Sequence, residues 1–332
     1  METGFAVMAA LFLASAVRIS VPLLVGTLGE TVTERAGHLN LGVEGMMMLG
    51  ASAGFLVAVR TDSVLLALLA AILGSGAGAL LYAVLTVTFR ANQVVTGLAL
   101  TIFGTGVANT LGKTVVGENP PPAVQAFFAL KPLHADLSGI RDVPVLGPVA
   151  GFVDAAFLQH NVYVYGAVAL ALLLAWFLRR TRAGLHLRAI GENPAAADAS
   201  GIRVIAGKYA AILAGGMMCG LAGLYMPLVH IQTWTDNITG GRGWIVVALV
   251  IFVRWDPLKA TLGALLFGAL AIVGFLLQAY PQLSGSILFS QYVIDMYPYL
   301  MTLLALVLAN AGRKKGWQGP GALSVPYFRE ER

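Results

Sequence analysis

Cys219 is the only cysteine in this 332-residue chain. A lone cysteine excludes an internal disulfide and a cysteine metal cluster. Its place in an apolar run reads as a packed thiol. Charge is scarce as well. Only 11% of the residues are Asp, Glu, Lys or Arg, against roughly 25% in soluble domains. Histidines 38, 134, 160, 186 and 230 are scattered, without the spacing of metal ligands. No serine occupies a nucleophile elbow. No cluster of intramembrane acids or histidines, such as a membrane-embedded enzyme would need, is expected. A phosphate loop is missing too. The stretch VANTLGKT at 107–114 approaches G-x-x-x-x-G-K-[ST] but begins with Val107, and it ends an apolar helix instead of following a strand. Without a strand-to-helix turn there is no cradle of N–H groups for phosphate. This chain is therefore not expected to bind ATP through such a loop. The start, METGFAVMAA, has an acid and no basic residue before its apolar run, so it is not expected to be a secretory signal.

Apolar sequence fills the space that charge leaves. Hydrophobic residues make up 58% of the chain, and the mean hydropathy is +0.80. Apolar segments fall at about 5–29, 41–59, 63–89, 93–112, 160–178, 207–229, 243–254, 258–279 and 293–311. Several reach the ~20 residues that a helix needs to cross the hydrocarbon layer. The expected architecture is all-α and polytopic, with about 8–10 transmembrane helices. That count includes partial spans, for which 41–59 and 243–254 are the candidates.

The net charge of +5 is small and clustered, which marks topology and not a nucleic-acid surface. Arg179, Arg180, Arg182, Arg188, Arg203 and Lys208 crowd one connection, and Arg313, Lys314 and Lys315 follow the last apolar segment. The positive-inside rule assigns both regions to the cytoplasm. The expected division is a transmembrane domain over 1–312, with an external loop at 113–159 and a cytoplasmic loop at 180–206, followed by a cytoplasmic tail at 313–332. The same count places the N-terminus outside and Glu34 and Arg35 inside. Loop 113–159 has no basic excess, and its prolines predict an irregular exposed surface. Gly74 and Gly78, and the run GGMMCGLAG at 215–223, predict close helix contacts.

The loop at 181–202 reads TRAGLHLRAIGENPAAADASGI. Asn193 suits an N-cap, Pro194 the first helical position, and Gly201 a C-terminal stop. The predicted helix, 194–200, is too short to be stable alone. It must dock, with its alanines allowing close approach and Arg188, Glu192 and Asp198 fixing orientation.

Permeation residues are sought among polar groups on apolar segments. LNLGVEG places Asn40 and Glu44 where a polar turn becomes an apolar helix. DNITGGRGWIVVALVIF at 236–252 has the same texture, so the two stretches read as corresponding parts of an inverted repeat beside a central pathway. Glu44 is either an intramembrane acid partnered by Arg35 or Arg242, or a first-turn acid stabilised by free N–H groups. Asn92, Gln93, Thr96, Asn109, Gln232 and Asn237 complete the candidate substrate pathway, and Thr101 also lies on an apolar segment. Trp234, Tyr225 and Phe103 offer rings that either stack on a base or anchor spans at the interface. Arg18 in the first span is expected to reach a polar contact or the interface.

LRAIGENPAAADASGI resembles the cytoplasmic coupling segment of permease subunits in ATP-binding-cassette importers, within the branched-chain amino acid, ribose and nucleoside permease superfamily. ERAGHLNLGVEGMMMLGA at 34–51 and GRGWIVVALVIFVRWDPLKA at 241–260 resemble two further signatures of that superfamily, most closely in its nucleoside and simple-sugar branch. The resemblance runs from about residue 10 to 312. It implies a multi-pass subunit of a bacterial cytoplasmic (inner) membrane. It also implies a second permease chain, cytoplasmic ATP-binding subunits that hold ATP and magnesium, and an external solute-binding lipoprotein. No cofactor is expected in this chain. Coupling to the ATPase would fall on Arg188, Gly191, Glu192, Asn193, Pro194 and Asp198. The implied cargo is a nucleoside or related pentose-bearing solute. A free sugar or a branched-chain amino acid carried by the same type of permease is the alternative, and an ion-coupled carrier working alone is a second one.

Overall fold

A computed structural model describes residues 2–133, 146–278 and 319–328, with scattered helical positions between 293 and 307. Twelve α-helices can be named in order within these residues. The first five are α1 (Glu2–Arg35), α2 (Val43–Thr61), α3 (Val64–Ala83), α4 (Gln93–Gly112) and α5 (Pro122–Ala129). Then follow α6 (Leu146–Val153), α7 (Val162–Arg180), α8 (Arg182–Glu192), α9 (Pro194–Ala199) and α10 (Val204–Tyr225). The last two are α11 (Arg242–Phe252) and α12 (Pro257–Gln278). Six helices are long and apolar enough to cross a membrane, and three shorter apolar helices accompany them. The chain is a polytopic all-α membrane protein.

Local chemistry starts many of these helices. Ser63, Asn92 and Asn161 cap α3, α4 and α7 by accepting from the N–H of Leu66, Val95 and Val164 at 3.4, 3.1 and 3.1 Å, which satisfies otherwise free donors. Helices α3, α6 and α10 each end in one π-helical turn, at Val84–Thr88, Asp154–Leu158 and Met226–His230. The core is built where α1, α2, α3 and α10 meet, and α2 is the innermost span. Small residues bring these backbones together, as the glycine pattern predicted. A Cβ at Gly220 would lie 2.6 Å from the carbonyl oxygen of Ala71 on α3, and one at Gly50 on α2 would strike the Gly220 backbone. Such contacts tie helices together in lipid, where apolar burial between them supplies little drive. Cys219 is buried in this core.

Three expectations need correction. The first apolar segment does not stop at 29, because α1 continues to Arg35 with Glu30 and Glu34 fully buried. The acids belong to the helix interior because tertiary donors meet them there, as described below. Segment 41–59 is a full-length helix of 19 residues, whereas α11 is short, at 11 residues. Finally, the proline-rich stretch is partly helical. Pro122 takes the first position of α5, where its missing N–H costs nothing, and Val124 and Phe128 are buried, with Phe128 against Tyr163. Residues 134–145 and 279–292, about half of the last apolar segment, and 313–318 and 329–332 of the tail lie outside the described residues.

The molecule has two polar ends. One gathers Arg35, the 89–92 turn, α8, α9, residues 253–256 and the 319–328 segment. The other gathers 113–118 and 231–234, where Val116 pairs with Trp234 and the Thr233 hydroxyl donates to the Glu118 carbonyl.

Candidate functional site

Between α1 and α2, Ala36, Gly37 and His38 donate back to the carbonyls of Thr33 and Glu34 at the end of α1, and residues 39–42 run on without donating helical hydrogen bonds of their own. Side chains of neighbouring helices satisfy their backbone. The Asn40 N–H donates to Glu30 Oε1 at 3.0 Å, and the Leu39 N–H to Gln93 Oε1 at 2.8 Å. Tyr82 and Thr101 hydroxyls donate to the carbonyls of Leu39 and Leu41 at 2.7 and 2.9 Å. Asn40 closes its own turn by accepting from the Gly42 N–H at 2.9 Å. Gly37, at φ +85, reverses the chain at the start, a conformation that favours glycine. A Cβ at Gly97 would approach the Leu41 N–H, and one at Gly45 the Leu100 carbonyl. The start of α2 therefore lies along α4 near Leu100, about 10 Å from the first residue of α4 at 1.5 Å per residue. That is well inside a hydrocarbon layer ~30 Å thick.

At that depth α2 meets the N-terminus of α11. Glu44 is only 8% exposed. Its Oε1 accepts from the Thr239 hydroxyl at 2.5 Å and the Gly241 N–H at 2.9 Å, and its Oε2 accepts from the Gly243 N–H at 2.6 Å. A carboxylate at a helix N-terminus satisfies free donors and complements the positive end of the helix dipole. Glu44 thus caps α11, not its own helix. Arg242 does not bond it directly among the described residues; its guanidinium donates to the Thr239 carbonyl at 2.9 Å. Gly243 must be glycine, because a Cβ there would lie 2.5 Å from the Glu44 backbone.

The approach to α11, residues 231–241, is irregular. Gln232, Asn237, Gly240 and Gly241 all have positive φ. Asn237 and Asn109 bond reciprocally: the Asn109 amide donates to Asn237 Oδ1, and the Asn237 N–H to Asn109 Oδ1, both at 3.0 Å. Irregular backbone at membrane depth is tolerated where it is buried in protein or lines an aqueous cavity.

The eight predicted pathway residues therefore divide. Glu44, Asn109 and Asn237 come together around the start of α11. Asn40 and Gln93 are buried supports of loop 36–42, with buried Thr96 on the same stretch of α4. Asn92 is an exposed helix cap, and Gln232 is exposed near the end that carries residues 113–118. Of the aromatic candidates, Trp234 and Tyr225 are buried in the core, neither anchors nor open platforms. Trp234 stacks on Phe55 at 6.2 Å in space left by Gly112, whereas Phe103 is 56% exposed. Arg18 reaches the Ala14 carbonyl one turn back, at 3.4 Å.

Sequence reasoning missed Thr239, Gly241 and Gly243 as the donors to Glu44, although the run TGGRG was within the stretch it singled out. It also missed a pair of buried acids. Glu30 and Glu34, one turn apart, face the Asn40 N–H and the Trp255 indole N–H. Clustered intramembrane acids are thus present, contrary to expectation, and they serve chain connections. Among the described residues no group of three or more His, Cys, Asp or Glu could hold a metal.

The second functional region is the opposite face of loop 36–42. The Thr181 hydroxyl caps α8 by accepting from the Gly184 N–H at 3.0 Å, and Asn193 caps α9 by accepting from the Ala196 N–H at 3.0 Å. The chain leaves α9 through Gly201 at φ +82. The cap, the proline position and the glycine stop were all readable; α8, joined to α9 by Asn193 alone, was not. Ala195, Ala196 and Ala199 are exposed, and Ala197 is buried against Ile190 and Val204. Of the other predicted coupling residues, Gly191 lies against the Arg35 carbonyl, where a Cβ would collide, and Arg188 and Asp198 are half-buried.

The 319–328 segment is a strap across this end. The Ala322 N–H donates to the Gly191 carbonyl at 2.8 Å, the Gly321 N–H to Glu192 at 3.3 Å, and the Ser324 N–H to the Gly37 carbonyl at 3.2 Å. The Lys208 ammonium lies 5.9 Å from the Tyr327 ring, and the Arg90 guanidinium 4.4 Å over the Phe328 ring, both within cation–π range. His38 sits beneath the strap. Burial, and secondarily the Lys208 charge, lower its pKa to about 3, so its ring is neutral at physiological pH. Arg179 and Asp256 join the end of α7 to the turn before α12 at 2.8 Å.

Comparison with known proteins agrees with this arrangement. Residues 12–308 match the family described as branched-chain amino acid transport system, permease component. A putative glucose ABC transporter permease of Haloferax volcanii is 34% identical over 97% of this chain and 98% of its own length. A guanosine ABC transporter permease of Bacillus subtilis is 32% identical over 94% of each chain, and a nucleoside ABC transporter permease of Lactococcus lactis 31% over 87% of this chain and 89% of its own. No solved structure matches. With six long apolar helices and a match over most of its length, the chain is a multi-pass membrane protein that belongs to the permease-component family of branched-chain amino acid transport systems.

Proposed function

We propose that the chain is the membrane permease of an ATP-driven importer for nucleosides. The observation that carries the substrate class is the similarity to the guanosine and nucleoside permeases over nearly the whole chain. The site is compatible with such a cargo. The junction of α2, α4 and α11 offers amides and hydroxyls at membrane depth, and its acid, Glu44, is occupied by α11. Its two charged groups, Glu44 and Arg242, are both engaged by the approach to α11, so among the described residues it offers no pair of charges left over for a zwitterionic amino acid. A neutral solute with several hydroxyls finds hydrogen-bond partners there, and weak contacts let it leave again.

The end that carries α8, α9 and the strap is assigned to the cytoplasm, because six basic residues of 179–208 gather there and the 113–118 end has no such excess. The exposed alanine face of α9 and the flanking Glu192 would receive an ATP-binding subunit, which holds ATP and magnesium. A displacement of α8 and α9 would pass to loop 36–42 through the strap, and to the turn before α12 through Arg179 and Asp256. A second permease chain completes the pathway. A second guanosine permease protein of Bacillus subtilis is also similar, at 23% identity over 79% of this chain, which supports pairing of two related permeases. An external solute-binding lipoprotein would deliver the cargo.

Import of a free sugar is the second reading, favoured by the 34% identity to the putative glucose permease. Uptake of labelled uridine, inosine, glucose, ribose and leucine by vesicles holding the whole complex separates the two. The nucleoside reading expects uridine or inosine to accumulate with ATP. Accumulation of glucose or ribose that neither nucleoside inhibits would overturn it.

A further inference from the structure

A cavity of about 590 Å³ opens between α7, α8 and α10, with Val32 of α1 at its floor. Its walls are apolar: Leu170, Leu174 and Phe177 on one side, Ala211, Ala214 and Met218 on the other. Among the described residues, the only charged or titratable side chains in its lining are His186 and Arg203, and none is an acid. His186 stands in the middle of α8 and Arg203 is the N-cap residue of α10, both toward the end rich in arginine. Arg180, Arg182 and Arg203 are exposed there. Trp176, one turn inside that end, is 60% exposed, as expected of an aromatic belt residue at headgroup level. The cavity therefore runs from the level of lipid headgroups into the level of acyl chains, with basic groups at its mouth and carbon along its depth.

We propose that this cavity is a binding site for an anionic phospholipid, one acyl chain lying between α7 and α10 and the headgroup against Arg203, Arg182 and His186. The occupant follows from the charge pattern. A zwitterionic headgroup brings its ammonium along with its phosphate to a mouth lined by positive charge, whereas an anionic headgroup brings net negative charge, which clustered arginines beside a span attract. An apolar peptide would leave its backbone groups without partners along these walls. Assignment to the cytoplasmic leaflet rests on the orientation proposed above; the lipid site itself does not depend on the transported solute. Bound lipid would brace α8, the helix that leads into α9, against α10.

The test uses the assembled transporter in nanodiscs of equal phosphatidylglycerol and phosphatidylcholine, released into native mass spectrometry. Wild type is expected to retain phosphatidylglycerol at least tenfold over phosphatidylcholine. Arg203→Glu should lower that retention at least tenfold and Arg203→Lys should preserve it. Ala210→Trp, which fills the cavity, should abolish it, and Leu65→Trp, on the exposed face of α3, should leave it unchanged. A photoreactive p-benzoylphenylalanine replacing Leu173 should capture a lipid-sized adduct. Equal retention of the two lipids, retention unaffected by both Arg203→Glu and Ala210→Trp, or a cross-link from position 173 to the second permease or an ATPase subunit would each overturn the proposal.

Discussion

Replacing Glu44 should release the N-terminus of α11. The carboxylate accepts three hydrogen bonds, two of them from backbone N–H groups that have no other partner inside their helix. Hydrogen bonds to a charged group contribute roughly 1.5–3 kcal/mol each, and an unpaired buried donor costs roughly 1–3 kcal/mol. The dipole of α11 adds up to ~2 kcal/mol. These contributions overlap, because loss of the acceptor and exposure of the donors describe one event. For Glu44→Ala the net is on the order of 4 kcal/mol, or about a 10³-fold shift in the undocking equilibrium of α11 at 1.4 kcal/mol per tenfold. Glu44→Gln keeps one acceptor oxygen but turns an amide N–H₂ toward other donors, so about 2 kcal/mol is expected. Undocking can be read at Ile238, which is 3% exposed beside the junction. A cysteine replacing Ile238 should react slowly with a maleimide in the otherwise native complex, several hundredfold faster with Glu44→Ala, and at an intermediate rate with Glu44→Gln. Uptake should fall in the same order while the chain remains inserted. Equal labelling and wild-type uptake in all three backgrounds would refute the view that Glu44 holds α11 in place.

Other expectations follow from the opposite end. Asn193→Ala removes the α9 cap and should cost about 1 kcal/mol; co-purification of the ATP-binding subunit or solute-stimulated hydrolysis should drop, and normal values of both would count against docking at α9. Truncation after residue 318 removes the strap, its two backbone hydrogen bonds to Gly191 and Gly37, and its bond to the Glu192 carboxylate; hydrolysis should continue while uptake per ATP falls, a result distinguishable from failed assembly by intact co-purification. Because the pKa of His38 is lowered from 6.5 to about 3 in the folded chain, the unfolded state binds the extra proton as pH falls through 6.5, so stability is full above that value and declines below it. About 1 kcal/mol should be lost between pH 7 and 5.5, seen as a lower melting temperature, and His38→Gln should flatten that dependence.

What the sequence displayed and what it hid divide along the reach of the interactions. α9 was legible because its start and stop are local: Asn193, Pro194 and Gly201 act on their own backbone. The close helix contacts were legible in the same way, as small residues at fixed spacing around Cys219. Glu30 and Glu34 were not legible as helix interior, because their donors come from Asn40 and from Trp255, more than two hundred residues away. Glu44 stood out as an intramembrane acid, and free helix N–H groups were one of its two expected kinds of partner; what could not be read was that those groups belong to α11 and not to Glu44's own helix. Trp234 illustrates the opposite error. An aromatic near a polar stretch suggested an open platform or an anchor, whereas the missing side chain at Gly112 makes room to bury it. The strap at 319–328 was hidden because its own groups that hold α8 and Gly37 are main-chain N–H groups, which any sequence would offer.

The most direct test of the central claim is the rate of ATP hydrolysis by a purified complex of this permease with the proposed second permease and ATP-binding subunits, measured with the proposed solute-binding lipoprotein present. Uridine or inosine should raise the rate several-fold, glucose and leucine should not, and Asn193→Ala should remove the stimulation. Hydrolysis that responds to glucose or leucine but to no nucleoside, or that responds fully with Asn193→Ala, would contradict the account.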